Sequence, residues 1–183
     1  MAQTKTQLES AYFAGGCFWC MEEVFEKLAG VEDAISGYTG GDFPNPSYED
    51  VIYKNTGHFE AIKVIYDSSK VSYEQLLDLF WLNVDPTQND GQFCDKGPQY
   101  RSAIFFATTE QKQLAETSKA KYQDKFKSRN PVGEVKFATD ILALKTFYDA
   151  EEYHQSYYKK KFYSIQNLQI PLWTLSAFKR NLG

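Results

Sequence analysis

A chain of 183 residues can bury one real core, and its 24 acidic against 20 basic residues give a formal charge of −4. That acidic balance argues against a nucleic-acid footprint, the short run Lys159-Lys160-Lys161 reading as a solvated helix face, and no apolar stretch is long enough to span a bilayer. Three cysteines fit a reducing compartment, and Met1 to Ser10 lacks a signal-peptide core, so a cytoplasmic location is expected.

In chain order, Ala11 to Ala14 reads as a strand and Gly15-Gly16 as the turn after it. Phe18, Met21, Phe25 and Leu28 then recur at helical spacing, with Gly30 as the expected cap. Cys17 falls at or just before the helix N-terminus, where unpaired amides and the helix dipole favour negative charge. Its thiol is therefore expected to ionise easily, with a pKa drawn down from about 8.5 toward roughly 3.5–7.5. The thiolate is the nucleophilic form, and the next two residues, Phe18 and Trp19, suit an apolar pocket for its target.

Val31 to Tyr38 reads as a strand. The segment from Thr39 to Ser47 is too rich in Gly, Pro and Asn for regular structure, and a loop of that length is usually functional or disordered. Phe43 and Tyr48 argue against disorder, and Ser47 is placed to cap a short helix carrying Tyr48. Thr56 to Asp67 is the clearest strand, with Ile62, Val64 and Tyr66 on one face. Glu60 is in phase with them. Either it is buried, which raises its pKa and suits it to general-acid work, or it sits at a frayed strand start in water.

Ser72 and Gln75 form a capping-box pair before the apolar stripe Tyr73, Leu76, Leu77 and Phe80, which stops at Asp85-Pro86. A polar loop from Thr87 to Tyr100 holds Cys94 and Asp95. Ser102 to Ala107 reads as a strand, and Thr108 with Gln111 caps a helix running to about Ser128. Asn130 to Gly133 is a turn, and Glu134 to Asp140 a strand with Val135 and Phe137 inward. Glu151 to Tyr163 reads as a helix carrying His154. Beyond Ile170-Pro171 the chain is expected to wrap the surface or form a last helix. The pattern gives one α+β domain, 1–183, with helices on a mixed sheet.

The Cys17-x-x-Cys20 pair has three readings: a redox or nucleophilic pair, half a zinc site, or buried thiols. Zinc lacks a second pair, since only Cys94, His58 and His154 remain. A thioredoxin-like oxidoreductase would also carry such a pair, but the expected order of elements does not follow it. A Cys–His hydrolase has no local signature here.

Six blocks in register resemble peptide methionine sulfoxide reductase, A type. They are Gly15-Gly16-Cys17-Phe18-Trp19, Gly37-Tyr38-Thr39-Gly40-Gly41, Asn45-Pro46-Ser47-Tyr48, Thr56-Gly57-His58-Phe59-Glu60-Ala61, Gln99-Tyr100-Arg101-Ser102 and Ala150-Glu151-Glu152-Tyr153-His154-Gln155. They span about residues 11–160, with 161–183 wrapping or extending that core.

The resemblance implies a two-layer α/β plait of ferredoxin-like type, a mixed sheet with flanking helices and long loops around an open site. It implies that Cys17 attacks the sulfur of a methionine-(S)-sulfoxide, free or protein-bound, and becomes a sulfenic acid. Glu60 matches the proton donor, and Tyr48 and Tyr100 match the tyrosines that hydrogen-bond the sulfoxide oxygen. Phe18 and Trp19 match the methyl pocket, and Asp95 a residue that orients substrate or water. Many members carry resolving cysteines near the C-terminus, whereas this chain has none after Cys94. Cys20 is the first candidate to resolve the sulfenic acid, an external thiol the second and Cys94 the third. Thioredoxin is the expected reducing partner. No cofactor, metal, nucleic acid or membrane is called for. The competing classes are a general thiol–disulfide oxidoreductase and a non-catalytic methionyl-peptide binder.

Overall fold

The computed structural model describes residues 7–129 and 136–160. A six-stranded mixed sheet runs in the order β7-β6-β1-β3-β2-β8. Its strands are β1 (Leu8–Gly15), β2 (Val31–Thr39), β3 (Phe59–Asp67), β6 (Ser102–Phe106), β7 (Asp140–Ala143) and β8 (Tyr148–Asp149). Neighbours are antiparallel except β6 and β7, which are parallel. A two-stranded ribbon, β4 (Gly91–Gln92) with β5 (Asp95–Lys96), folds the second polar loop back on itself.

The strand period of two divides the sheet into unequal faces. Ala11 and Phe13 of β1, Ile62 and Val64 of β3, and Ile104 of β6 belong to the main core. Onto it pack α1 (Phe18–Glu26), through Phe18, Met21 and Phe25, and α3 (Tyr73–Trp81), through Leu76, Leu77 and Phe80. The long α4 (Thr109–Arg129) adds Ala115 and Tyr122 to the same core. Phe13 stacks on both Phe25 and Phe80, which locks the two helices to the central strand. A smaller cluster built on Ala14, Phe59, Ala61, Ala103 and Phe105 covers part of the opposite face.

Several boundaries follow their local chemistry. Ser47 and Asp50 make a full capping box for α2 (Tyr48–Tyr53), and Ser72 and Gln75 another for α3. Thr108 caps Gln111 as expected, but the Gln111 side chain reaches back to the Ala107 amide instead of completing a box. α3 ends at Trp81, before Asp85-Pro86, and β3 begins at Phe59 rather than Thr56.

Two expected elements are corrected. Phe137 is buried as expected, yet 136–139 form no strand, and β7 begins only at Asp140 beside β6. Residues 152–156 form turns, and the helix carries only α5 (Tyr157–Lys160) within the described residues. Ser156, at φ 50, breaks the helical run before it starts. His154 thus lies on a turn and not on a helix. The expected turn at 130–133, the positions 134–135 and everything after 160 lie outside the described residues.

Candidate active site

Gly16 adopts φ 87, and a Cβ on it would meet the Gln92 Cβ at 2.8 Å. Only glycine turns the chain sharply enough there to end β1 and start α1 within two residues. Cys17 is the N-cap of α1, as its position in the sequence predicts. The pairing of β1 with β3 stops at Phe13 and Ile62, while β1 stays on β6 to Gly15 and β3 stays on β2 through Glu60, so the two strands part just where Glu60 lies. α1 then starts over Glu60, and the Phe18 amide donates to Glu60 Oε2 at 3.1 Å.

Glu60 is 2 % exposed, which decides between its two sequence readings in favour of burial. Burial first, then the nearby Cys17 thiol, push its carboxyl well above the usual range, against the opposing pull of the Phe18 amide. Tyr48 and Tyr100 line the same cleft as Glu60, and burial first, then the Glu60 charge, push both phenols above the usual range. Two phenols and one carboxyl therefore share one cleft.

The expected acid shift of Cys17 is overturned. Its hydrogen bond with the Cys20 thiol, followed by burial, holds Cys17 well above the ordinary thiol range. The helix amides of Cys20 and Trp19 do pull it down, as the turn predicts, but do not prevail. The same bond lowers Cys20 instead. Sequence spacing registers the helix terminus. It does not register a second thiol competing for the same charge.

One cleft of about 190 Å³ is lined by Cys17, Phe18, Trp19, Cys20, Tyr48, Glu60, Cys94, Asp95 and Tyr100. All nine residues singled out in the sequence meet there, drawn from α1, α2, β3 and the second polar loop. Burial raises the Asp95 carboxyl above its ordinary range. The three sulfurs are free thiols, Cys17 and Cys20 half-buried and Cys94 exposed. A second hollow of about 190 Å³, walled by Gly15, Met21, Val24 and Phe93, touches Cys17, Cys20 and Cys94 from another side.

Three residues that the sequence reading left without a function support this cleft. The Trp19 indole N–H donates to His154 Nδ1 at 3.2 Å, and the His154 ring packs on Tyr48 with centroids 4.6 Å apart. Glu151 accepts from the Tyr48 amide and from the Tyr38 hydroxyl. The signal available for Glu151 and His154 was their shared block with Tyr153 and Gln155. Tyr38 had the same kind of signal, the block Gly37-Tyr38-Thr39-Gly40-Gly41. His58 is buried and staples the first loop: Gly41 N–H donates to its Nδ1, leaving Nε2 to donate to the Phe43 carbonyl at 2.8 Å. No helix among the described residues is long and apolar enough to cross a membrane.

Comparison with known proteins agrees with the geometry. The family described as peptide methionine sulfoxide reductase matches residues 9–181. A Streptococcus pyogenes protein, peptide methionine sulfoxide reductase MsrA, is 48 % identical over 153 residues, which is 84 % of this chain and 88 % of that protein. Methionine sulfoxide reductase A of Corynebacterium diphtheriae superposes with TM-score 0.77 at 33 % identity, covering 87 % of this chain and 78 % of that one. Mxr1 from Saccharomyces cerevisiae in complex with Trx2 superposes with TM-score 0.57 at 26 % identity, covering 86 % and 92 %. A thiol pair on a glycine turn, a buried carboxyl beneath it and a match running nearly end to end place this chain in the peptide methionine sulfoxide reductase family, as an oxidoreductase.

Proposed function

We propose that this domain, 1–183, reduces methionine-(S)-sulfoxide, free or in proteins, with Cys17 as nucleophile. The observation that carries this reading is the convergence of Cys17, Glu60, Tyr48 and Tyr100 on one cleft with an apolar wall. Phe18 and Trp19 hold the methyl group, and Asp95 orients the substrate or a water. Negative charge on Cys17 raises Glu60 further, on top of burial, so Glu60 keeps its proton as the Cys17 thiolate forms. As the thiolate attacks sulfur, charge grows on the sulfoxide oxygen. Glu60 gives that oxygen a proton, and the Tyr48 and Tyr100 hydroxyls donate hydrogen bonds to it. Methionine leaves, the oxygen stays on Cys17 as a sulfenic acid, and the cysteine sulfur loses the two electrons that the sulfoxide gains.

Cys20 resolves that acid. Its sulfur attacks Cys17, water leaves, and a Cys17–Cys20 disulfide forms. The existing thiol–thiol hydrogen bond and the lowered Cys20 pKa support it over an external thiol or Cys94. A thioredoxin-type dithiol then reduces the disulfide, a role supported by the Mxr1 complex with Trx2. No resident cofactor or metal enters this cycle. Protein repair in a reducing cytoplasm is the biological setting of that chemistry. We read the unit β1-α1-β2-β3-α3-β6, with strand order β6-β1-β3-β2, as the ferredoxin-like two-layer plait.

The test is one turnover of a methionine-(S)-sulfoxide peptide without reductant, followed by mass spectrometry and thiol counting. The peptide should lose one oxygen, and two thiols should disappear into a Cys17–Cys20 linkage. Cys17→Ser should abolish the reaction. Turnover by that variant would reject the nucleophile, and a Cys17–Cys94 linkage would reject the resolving thiol.

A further inference from the structure

Two aromatic side chains that line the cleft, Trp19 on α1 and Tyr48 on α2, both pack against the His154 ring, with centroids 5.5 and 4.6 Å away. The two helices belong to segments far apart in sequence. What joins them is the turn that follows β8. Glu151 Oε1 accepts the Tyr48 backbone N–H at 2.9 Å, and its Oε2 accepts the Tyr38 hydroxyl at 3.0 Å. His154 Nε2 lies 3.9 Å from the same Oε2 and has no hydrogen-bond partner of its own. Its Nδ1 accepts the Trp19 indole N–H, which fixes the proton on Nε2 and turns that N–H toward the carboxylate.

The turn itself is held to the sheet. Ala150 N–H and the Gln155 Nε2 both donate to the Ser36 carbonyl at 2.9 Å, while Gln155 Oε1 accepts the Ser36 N–H at 3.0 Å. Both backbone groups of one β2 residue are thus taken by this turn. A carboxylate at its start, facing the first amide of α2, also meets the positive end of that helix.

We infer that Glu151 is a positioning residue: one carboxylate sets Tyr48 through its backbone and Trp19 through His154, and so fixes where both aromatics stand in the cleft. This rests on the sulfoxide-reductase reading for its kinetic consequence, and for its structural one on the hydrogen bonds to Tyr48 and Trp19 together with the 3.9 Å approach of His154 to Glu151. Glu151 touches no reacting atom. Without it the Tyr48 phenol loses its place against the sulfoxide oxygen, and the Trp19 indole its place against the methyl group.

The experiment labels the full chain with 5-fluorotryptophan and assigns the Trp19 fluorine resonance with Trp19→Phe. Turnover of the sulfoxide peptide is measured alongside. Glu151→Ala should shift the Trp19 resonance, leave that of core Trp81 in place, lower kcat on the order of tenfold or more, and raise KM. Glu151→Gln should recover most of both, because its amide oxygen still accepts the Tyr48 N–H. If Glu151→Ala does not fold, Glu151→Asp decides, since its shorter side chain keeps the charge but loses reach to one of the two aromatics. An unmoved Trp19 resonance with wild-type kcat and KM in Glu151→Ala, or in Glu151→Asp if the alanine variant does not fold, overturns the inference. A wild-type protein that leaves the sulfoxide untouched would instead sink the reductase reading, and the fluorine shift would still decide the role of Glu151.

Discussion

Two buried carboxyl groups meet at α1, Glu22 on the helix and Glu60 on β3 bonded to its first amide, and they share burial but not neighbours. Glu60 is 2 % exposed and Glu22 is 1 % exposed. Each accepts one backbone amide, Glu60 from Phe18 and Glu22 from Ser156 at 2.8 Å. Burial is the leading reason that both are raised, Glu22 to about 7. Glu60, however, opens onto a thiol and two phenols, whereas Glu22 borders a polar hollow of about 340 Å³ walled by Asp33, Asp149 and Glu152. The difference teaches that desolvation sets a protonation state, while neighbours decide whether the proton has somewhere to go. A raised acid beside a nucleophile is a donor. The same acid beside other acids is a pH-dependent strut.

The comparison breaks most visibly at Glu60. Glu60→Gln keeps the shape and the acceptor for the Phe18 amide but has no acidic proton. Sulfoxide reduction should fall about a hundredfold or more, with near-ultraviolet circular dichroism unchanged. An equal loss in Glu22→Gln would erase the distinction between the two carboxyls.

Glu22→Gln should act on stability instead. The folded value near 7 lies above the ordinary 4.5, so the folded state holds the proton more tightly. The stability Glu22 contributes is full below about 4.5 and is lost as pH rises through about 7. Melting temperatures of wild type should therefore decline across that window, and Glu22→Gln should flatten the decline. The pH profile of turnover should stay as in wild type. A melting curve series with the same slope in both proteins would show that Glu22 is not carrying the proton.

The smallest effect calibrates the others. Ser72→Ala removes the cap of α3, far from both carboxyls, and should cost about 1 kcal/mol by denaturant unfolding. That loss should be the same at acid and neutral pH. A pH-dependent loss would mean that the two-carboxyl analysis has misplaced the source of the slope.

Much of the site was legible because its signals are local. The glycine turn, the apolar spacing after Cys17, the Ser47 cap before Tyr48 and the phase of Glu60 on its strand are all set within a few residues. The loop carrying Cys94 and Asp95 was legible only as a polar interruption, since its ribbon pairs Gly91 with Lys96 across a turn that no hydrophobic period marks. The segment after residue 150 misled for the opposite reason. Its aromatic residues mimic a helical stripe, but they contact α1 and the cleft, and Ser156 breaks the run.

Short-range pattern alone determined the four central strands β1, β2, β3 and β6, the Ser47 and Ser72 caps, the place of Cys17 at a helix start and the phase of Glu60 in an apolar row. Those depend on steric and hydrogen-bonding preferences of neighbouring residues, which travel with the sequence. Tertiary structure alone decided the ionisation of Cys17, the meeting of nine cleft residues and the hold of Glu151 on two distant aromatics. Each of these is a through-space balance of burial, charge and hydrogen bonds between groups up to 135 positions apart, as Trp19 and His154 are. No local pattern encodes that balance, because its terms exist only once the chain has closed.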